Sequence, residues 1–333
     1  MEGHLSGNLV IVGEDAKQRF HDSRGYGVPQ NGNKIALDPI EAAHLLLRGD
    51  LDTVDGMDFT QFISKQKSNF SSHFSTYIDL RFRGFHLTPV GDSNDSHLKH
   101  IDFTVYERGT KPPGGIIKYN LRVIRERSTI IANELGGCVL AIVDEEGELT
   151  YLNTTEINPI GKMKFSPPLS EGILLKDNVL LKNSDPSLHE SGFFGQHIPN
   201  TSHIQLSLVE AAYLSNCGVL SVNGNVIDQG RTIEGNLFDH RLLVYTTLRK
   251  LGLVPKTGFK FGFDFRVYQD FNTTTEALHS EYLVKIVENE HTFSTKELSI
   301  NVRLAVGVRK RTLFAIVDGS NNIRWILVER VTP

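Results

Sequence analysis

The sequence predicts a mixed α/β or α+β protein built as two tandem copies of one plan, because helix and strand words recur in pairs. EAAHLLLRG at Glu41–Gly49 returns as EAAYLSNCG at Glu210–Gly218, IDFTVY ending at Tyr106 returns as FDFRVY ending at Tyr268, and AIVD occurs at both Ala141–Asp144 and Ala315–Asp318. The offset between partners drifts only slightly, as expected of a duplication with small loop insertions. A solenoid would need three or more short repeats. A length of 333 residues suits two domains of ordinary size.

Taken in order, Leu9–Val12 is a short apolar strand, and Ser23, Arg24, Gly25, Tyr26 and Gly27 form a turn. Asp38 can cap the next helix, with Pro39 in its first turn, Glu41 at the capping-box position and Gly49 ending it left-handed. Ser207, Glu210 and Gly218 repeat that grammar. Phe74–Arg83 and Phe238–Lys250 are predicted helices, each with a tyrosine (Tyr77, Tyr245), an arginine (Arg81, Arg249) and a closing glycine (Gly84, Gly252). Pro159, Gly161, Pro167 and Pro168 place the seam within Asn158–Glu171. The predicted division is 1–161 and 162–333, each copy starting with a small strand-and-helix part. In the second copy that part covers about 162–235 and the larger α/β part 236–333.

A formal net charge of −4 and a pI of 6.4 exclude a globally basic nucleic-acid binder, so any phosphate contact must come from a local patch. Cys138 and Cys217 lie far apart without CxxC spacing, which argues against zinc and for two small, buried, reduced thiols. His197 and His291 lack companions at ligand spacing, and neither a metal nor another cofactor is expected. Met1–Phe20 lacks a basic start followed by an apolar run, and no stretch of about 18 apolar residues occurs, so a soluble cytoplasmic protein without membrane contact is expected.

The most informative stretch runs from Lys260 to Val287. Phe261, Phe263, Phe265 and Val267 alternate with more polar neighbours up to Tyr268, and a polar turn at Asn272–Thr275 follows. A second alternation then places His279, Glu281, Leu283 and Lys285 on one face and Tyr282, Val284 and Ile286 on the other. Tyrosine and histidine thus meet at adjoining strand ends. Alone, such a pair reads as a half-buried aromatic and a surface histidine. Arg309, Lys310 and Arg311, closing an amphipathic helix from Thr295 whose Leu298, Val302, Ala305 and Val306 are expected to face the core, before the strand Leu313–Val317, change the reading. Cutting RNA through its own 2′-hydroxyl needs a base for that proton, an acid for the departing 5′-oxygen and a cation beside the phosphorane.

The blocks GFKFGFDFRVY, HSEYLVKIV, RLAVGVRKRTLFAIVD and IRWILVERV closely resemble the C-terminal catalytic repeat of the archaeal tRNA-splicing endonucleases, and the first half resembles the degenerate repeat of their two-repeat, homodimeric form. The resemblance implies a nuclease-like mixed sheet in each copy. It also implies metal-independent excision of introns from precursor tRNA at bulge-helix-bulge motifs, leaving 2′,3′-cyclic phosphate and 5′-hydroxyl ends. It assigns Tyr268 as the base, His279 as the acid and Lys310 as the cation. A phenol is a weak base near neutrality, so cations beside it must favour the phenolate. Two arginines from opposite subunits would sandwich a bulge base, a role the resemblance gives to Arg303 and, with its register open toward Trp325, to Arg324.

The first copy keeps Tyr106 but has Pro112, Pro113, Gly114 and Gly115 in the following turn, no histidine opening the next strand, and Gly136 where Lys310 would fall. It is therefore expected to be inert. It carries instead the acidic turn Asp144, Glu145, Glu146, Gly147, Glu148, where the second copy has Asp318, Gly319, Ser320, Asn321 and Asn322. On charge alone this is a solvated hairpin as readily as a docking element. The resemblance implies that Asp144, Glu145, Glu146 and Glu148 enter a basic cleft of the other subunit. Two rival readings stand beside this one: a metal-dependent nuclease using Asp264, Glu281 and Lys285, and a non-catalytic structural subunit that binds RNA or a partner enzyme.

Overall fold

The computed structural model describes residues 1–91, 100–182, 184–270 and 279–333. It is a mixed α/β structure whose central feature is a ten-stranded sheet. One half of that sheet runs from edge to centre as Val254–Thr257, Phe265–Tyr268, Tyr282–Glu288, Arg311–Val317 and Ile323–Val331. From the centre outward the other half is Leu149–Glu156, Cys138–Val143, Ile117–Arg125, Phe103–Tyr106 and Leu87–Pro89. Each half has the same strand order and the same single parallel pairing, Tyr282–Glu288 with Arg311–Val317 and Ile117–Arg125 with Cys138–Val143. The halves join antiparallel through Leu149–Glu156 and Ile323–Val331, with Thr154 opposite Val328.

Period-two alternation decides what each sheet face covers. Val139, Ala141 and Val143 share a core with the N-terminal helices, and Leu313, Ala315 and Val317 share one with the helices of the second half. The intervening residues Leu140, Ile142, Phe314 and Ile316 form a third core on the opposite face, to which both halves contribute. The strands are thus buried on both sides, and the two larger parts cannot separate without exposing that shared core.

Each half also has a small five-stranded sheet. In the first its order is Val28–Gln30, Lys34–Leu37, Leu9–Val12, Glu2–Ser6, Thr53–Val54; in the second it is Gln196–His197, Ile204–Ser207, Asn178–Leu181, Ser170–Leu174, Leu220–Val222. The capped helices Pro39–Leu47 and Leu208–Asn216 follow as expected, with complete capping boxes at Asp38/Glu41 and Ser207/Glu210. Both glutamates also accept the amide of a turn glycine, Gly27 or Gly195. Residues 157–169 carry no regular structure. No helix among the described residues is long and apolar enough to cross a membrane.

Several expectations need correction. The alternation beginning at Lys260 is not all strand: Phe259–Phe261 is a turn of 3-10 helix closed by Gly262 at φ 74°, and the strand starts at Phe265. His279 lies just outside the next strand, which starts at Tyr282 and is buried on both faces. The turn Asn272–Thr275 lies outside the described residues. The helix expected to reach Arg309 ends at Gly307, and its Val306, read as core-facing, is 57% exposed. Cys217 is exposed, whereas Cys138 is buried. One asymmetry was not visible in the sequence pattern: where the second half has the helix Thr295–Gly307, the first has only the three-residue turn Ala132–Glu134.

Candidate active site

The sheet register collects the sequence-predicted residues at one end of three adjacent strands. Tyr268 closes the strand Phe265–Tyr268, its antiparallel neighbour opens at Tyr282 opposite Val267, and the parallel strand beyond opens with Arg311 opposite Tyr282. Backbone bonds tie the three openings together, from Glu281 N to Val267 O at 2.8 Å and from Arg311 N to Glu281 O at 3.1 Å. Pairing alone therefore sets Glu281 and Lys310 in line with Tyr268, while His279 stands two residues before Glu281, outside the paired strand. The left-handed turn at Arg309, φ 57°, ends the helix and leads Lys310 into this end.

Lys310 is half-buried and its ammonium donates to the Ser280 carbonyl at 3.1 Å, which fixes it beside the residue following His279. Partial desolvation and the Arg266 guanidinium hold its pKa below the usual lysine value, against the opposing pull of Glu281. Arg311 differs: its guanidinium is tied to Glu329 at 2.9 Å and to Glu281 at 3.5 Å. His279 is exposed. Tyr268 is 6% exposed and packs with Phe193, Val254 and Met163, its ring 5.3 Å from that of Phe193.

A buried ion pair lies behind that aromatic contact. Lys256 donates to Glu210 at 2.7 Å and to the carbonyls of Phe193 and Gly195, both at 3.1 Å. Phe193 occupies the left-handed region at φ 53°, uncommon for an aromatic residue. The pair thus joins the small sheet's helix, the edge strand of the large sheet and the ring against Tyr268.

The same register places the first half's counterparts. Leu121 faces Val139 as Val284 faces Leu313, so Gly136 stands where Lys310 does. Val105 pairs with Tyr119 as Val267 does with Tyr282, but a bulge then sets Tyr106 opposite Ile117, so Gly115 and Ile116 together stand where His279 does, and neither is a histidine. Thr104 and Thr88 match Arg266 and Lys256, and they pair with each other in the same way. The first half therefore has Tyr106 but lacks the other groups.

Arg303 is exposed on the helix Thr295–Gly307. Arg324 is half-buried and held by its edges: it donates to Glu156 at 3.0 Å and to the carbonyls of Asn133 and Leu135 at 3.1 and 3.0 Å, on the shortened turn of the first half. Glu145, Glu146 and Glu148 are exposed, and Glu145 pairs with Arg127. Asp144 makes the turn itself, accepting the amides of Glu146 and Glu148 as Asp318 accepts those of Ser320 and Asn322. The three carboxylates the second half lacks are thus the outward-facing ones.

The rival metal site does not assemble. Asp264 is satisfied by the Ile286 amide at 2.8 Å, and its own amide bonds Val284. Glu281 bonds Val267 at the other end of the same pair of strands, so the carboxylates stand about four residues, roughly 13 Å, apart. Sequence reasoning missed Arg266 and the Lys256–Glu210 pair. The first was marked by the contrast of FRVY with FTVY, while the second joins residues 46 positions apart and left no local signal.

Residues 238–325 match the catalytic C-terminal domain model of the tRNA intron endonucleases, and residues 1–63 and 170–230 both match their N-terminal domain model. The chain is 46% identical to the tRNA-splicing endonuclease of Haloarcula marismortui and 47% identical to that of Halobacterium salinarum, with 100% of each chain covered. It is 33% identical to the Methanococcoides burtonii tRNA-splicing endonuclease over 97% of this chain and 98% of the relative. The chain belongs to the tRNA-splicing endonuclease family.

Proposed function

We propose that this protein excises introns from precursor tRNA by metal-independent cleavage at bulge-helix-bulge sites, with residues 162–333 as the catalytic repeat and 1–161 as its structural partner. What supports this reading is that the register sets Lys310 in line with Tyr268 and that Lys310 bonds the carbonyl of Ser280, the residue after His279, whereas the matching end of the first half has Tyr106 with Gly136 in the place of Lys310. Tyr268 takes the 2′-hydroxyl proton as the 2′-oxygen bonds to phosphorus. The bond from phosphorus to the 5′-oxygen breaks, and His279 protonates the leaving oxygen. Lys310 stabilises the phosphorane charge. Cleavage in excess EDTA should proceed undiminished and leave 2′,3′-cyclic phosphate and 5′-hydroxyl ends by mass spectrometry. A strict magnesium requirement, or a 5′-phosphate product, overturns the mechanism.

The active form in this reading is a homodimer in which the turn at Glu145, Glu146 and Glu148 docks on the other subunit, and Arg303 and Arg324 from opposite subunits hold a flipped bulge base. Edge contacts such as those of Arg324 leave the faces of a planar guanidinium for stacking. Exposed ion pairs are worth only about 0–1 kcal/mol each, but several converging carboxylates fix docking register. Glu145→Gln, Glu146→Gln and Glu148→Gln together, with Asp144 kept to make the turn, should loosen the dimer and reduce cleavage while each repeat stays folded. Light scattering beside a cleavage assay checks this, and a fully active dimer would return the turn to a solvated hairpin.

A further inference from the structure

We propose that Arg266 is a further catalytic residue of this site, its guanidinium holding the scissile phosphate beside Lys310 and sharing the negative charge that grows on the phosphorane. The proposal rests on the reading of Tyr268, His279 and Lys310 given above.

Arg266 precedes Tyr268 by two residues on one strand and therefore shares its face. Its guanidinium carbon lies 5.8 Å from the Tyr268 ring centroid. The residue is half-buried, its Nε is buried without a hydrogen-bond partner, and no carboxylate pairs with it among the described residues. An arginine withdrawn from water without a counter-ion is unfavourable unless an anion arrives.

The neighbouring charges sharpen this point. Directly opposite in register is Lys256, already neutralised by Glu210, and Arg311 is neutralised by Glu329 and Glu281. Arg266 and Lys310 remain as two cations close enough for the first to depress the second's pKa. Their mutual repulsion is a cost to the empty site that one phosphate group relieves in both. The inert half shows the converse. Thr104 takes the place of Arg266 and Gly136 that of Lys310, so both cations are missing where no phosphate is to be held.

The alternative is that Arg266 only braces the Tyr268 ring. Single-turnover cleavage of precursor tRNA, and binding of the same RNA made uncleavable by 2′-deoxy substitution at the cut sites, separate the two. Removing one charge-stabilising donor typically costs about 10²–10³ in rate. Arg266→Met and Arg266→Thr should lose that much cleavage while the uncleavable RNA binds within about tenfold, and Arg266→Lys should recover part of the rate, because charge on phosphate grows in the transition state. The unfolding midpoints should match the parent's. Cleavage by Arg266→Met within about threefold of the parent overturns the proposal, as does equal slowing of the Met and Lys variants with a lowered midpoint, the signature of a brace. His279→Ala in the same assay isolates the underlying reading: a fully active His279→Ala removes both, whereas an inactive one beside a normal Arg266→Met removes only the role of Arg266.

Discussion

Lys256→Met should destabilise the protein by about 3–5 kcal/mol at neutral pH, because it leaves the buried Glu210 carboxylate without its cation. Glu210 is 5% exposed and Lys256 is 9% exposed, so water cannot replace the lost partner. Burial raises the Glu210 pKa, but Lys256 and the amides of Ser207 and Gly195 outweigh it and hold the carboxyl at about 2. A folded value of about 2 against the ordinary 4.5 makes a contribution that is present above 4.5 and is lost as pH falls toward 2.

The first half shows how the same glutamate behaves without the lysine. Glu41 has the same helix position and the same amide partners, but Thr88 stands in place of Lys256, and burial pushes Glu41 up to about 7. A carboxyl with a raised folded value loses stability as pH climbs from its unfolded value to its folded one. In Lys256→Met, Glu210 should behave like Glu41, so the deficit relative to the parent should widen between pH 4.5 and 7. Urea unfolding at several pH values checks this. A deficit that is constant or shrinks over that window would show that Glu210 finds another partner. Because Lys256 also holds the Phe193 carbonyl behind the ring facing Tyr268, cleavage should slow in the same variant.

How much of this could be read in the sequence depended on the range of the interactions. The capping boxes at Asp38–Glu41 and Ser207–Glu210 were legible because both partners lie within one helical turn. The strand ends at Tyr106 and Tyr268 were legible from alternation and from their recurrence. The run Lys260–Phe263 misled because alternation cannot distinguish a strand from a tight turn when Gly262 is free to adopt φ 74°. Val306 misled because helical period alone does not fix which flank of an apolar stripe is covered. The joining of both halves into one sheet through Leu149–Glu156 and Ile323–Val331 links residues far apart in sequence. The Lys256–Glu210 pair belongs to the same non-local class, whereas Arg266 was marked by the contrast of FRVY with FTVY, and its place beside Lys310 appears only in the structure.

The most direct test of the account is the single-turnover rate of His279→Ala on precursor tRNA, measured beside Tyr106→Phe. His279 is exposed and outside the sheet, so its removal leaves the cores and the unfolding midpoint unchanged. Loss of a general acid from the leaving-group oxygen lowers the rate typically by about 10²–10⁴, while binding of uncleavable RNA, which needs no proton transfer, stays near that of the parent. Tyr106→Phe, at the end that has no histidine where His279 stands and Gly136 where Lys310 stands, should cut at the parent's rate. A His279→Ala enzyme that cleaves within about threefold of the parent, or a Tyr106→Phe enzyme slowed as much as His279→Ala, would contradict the assignment of chemistry to the second repeat.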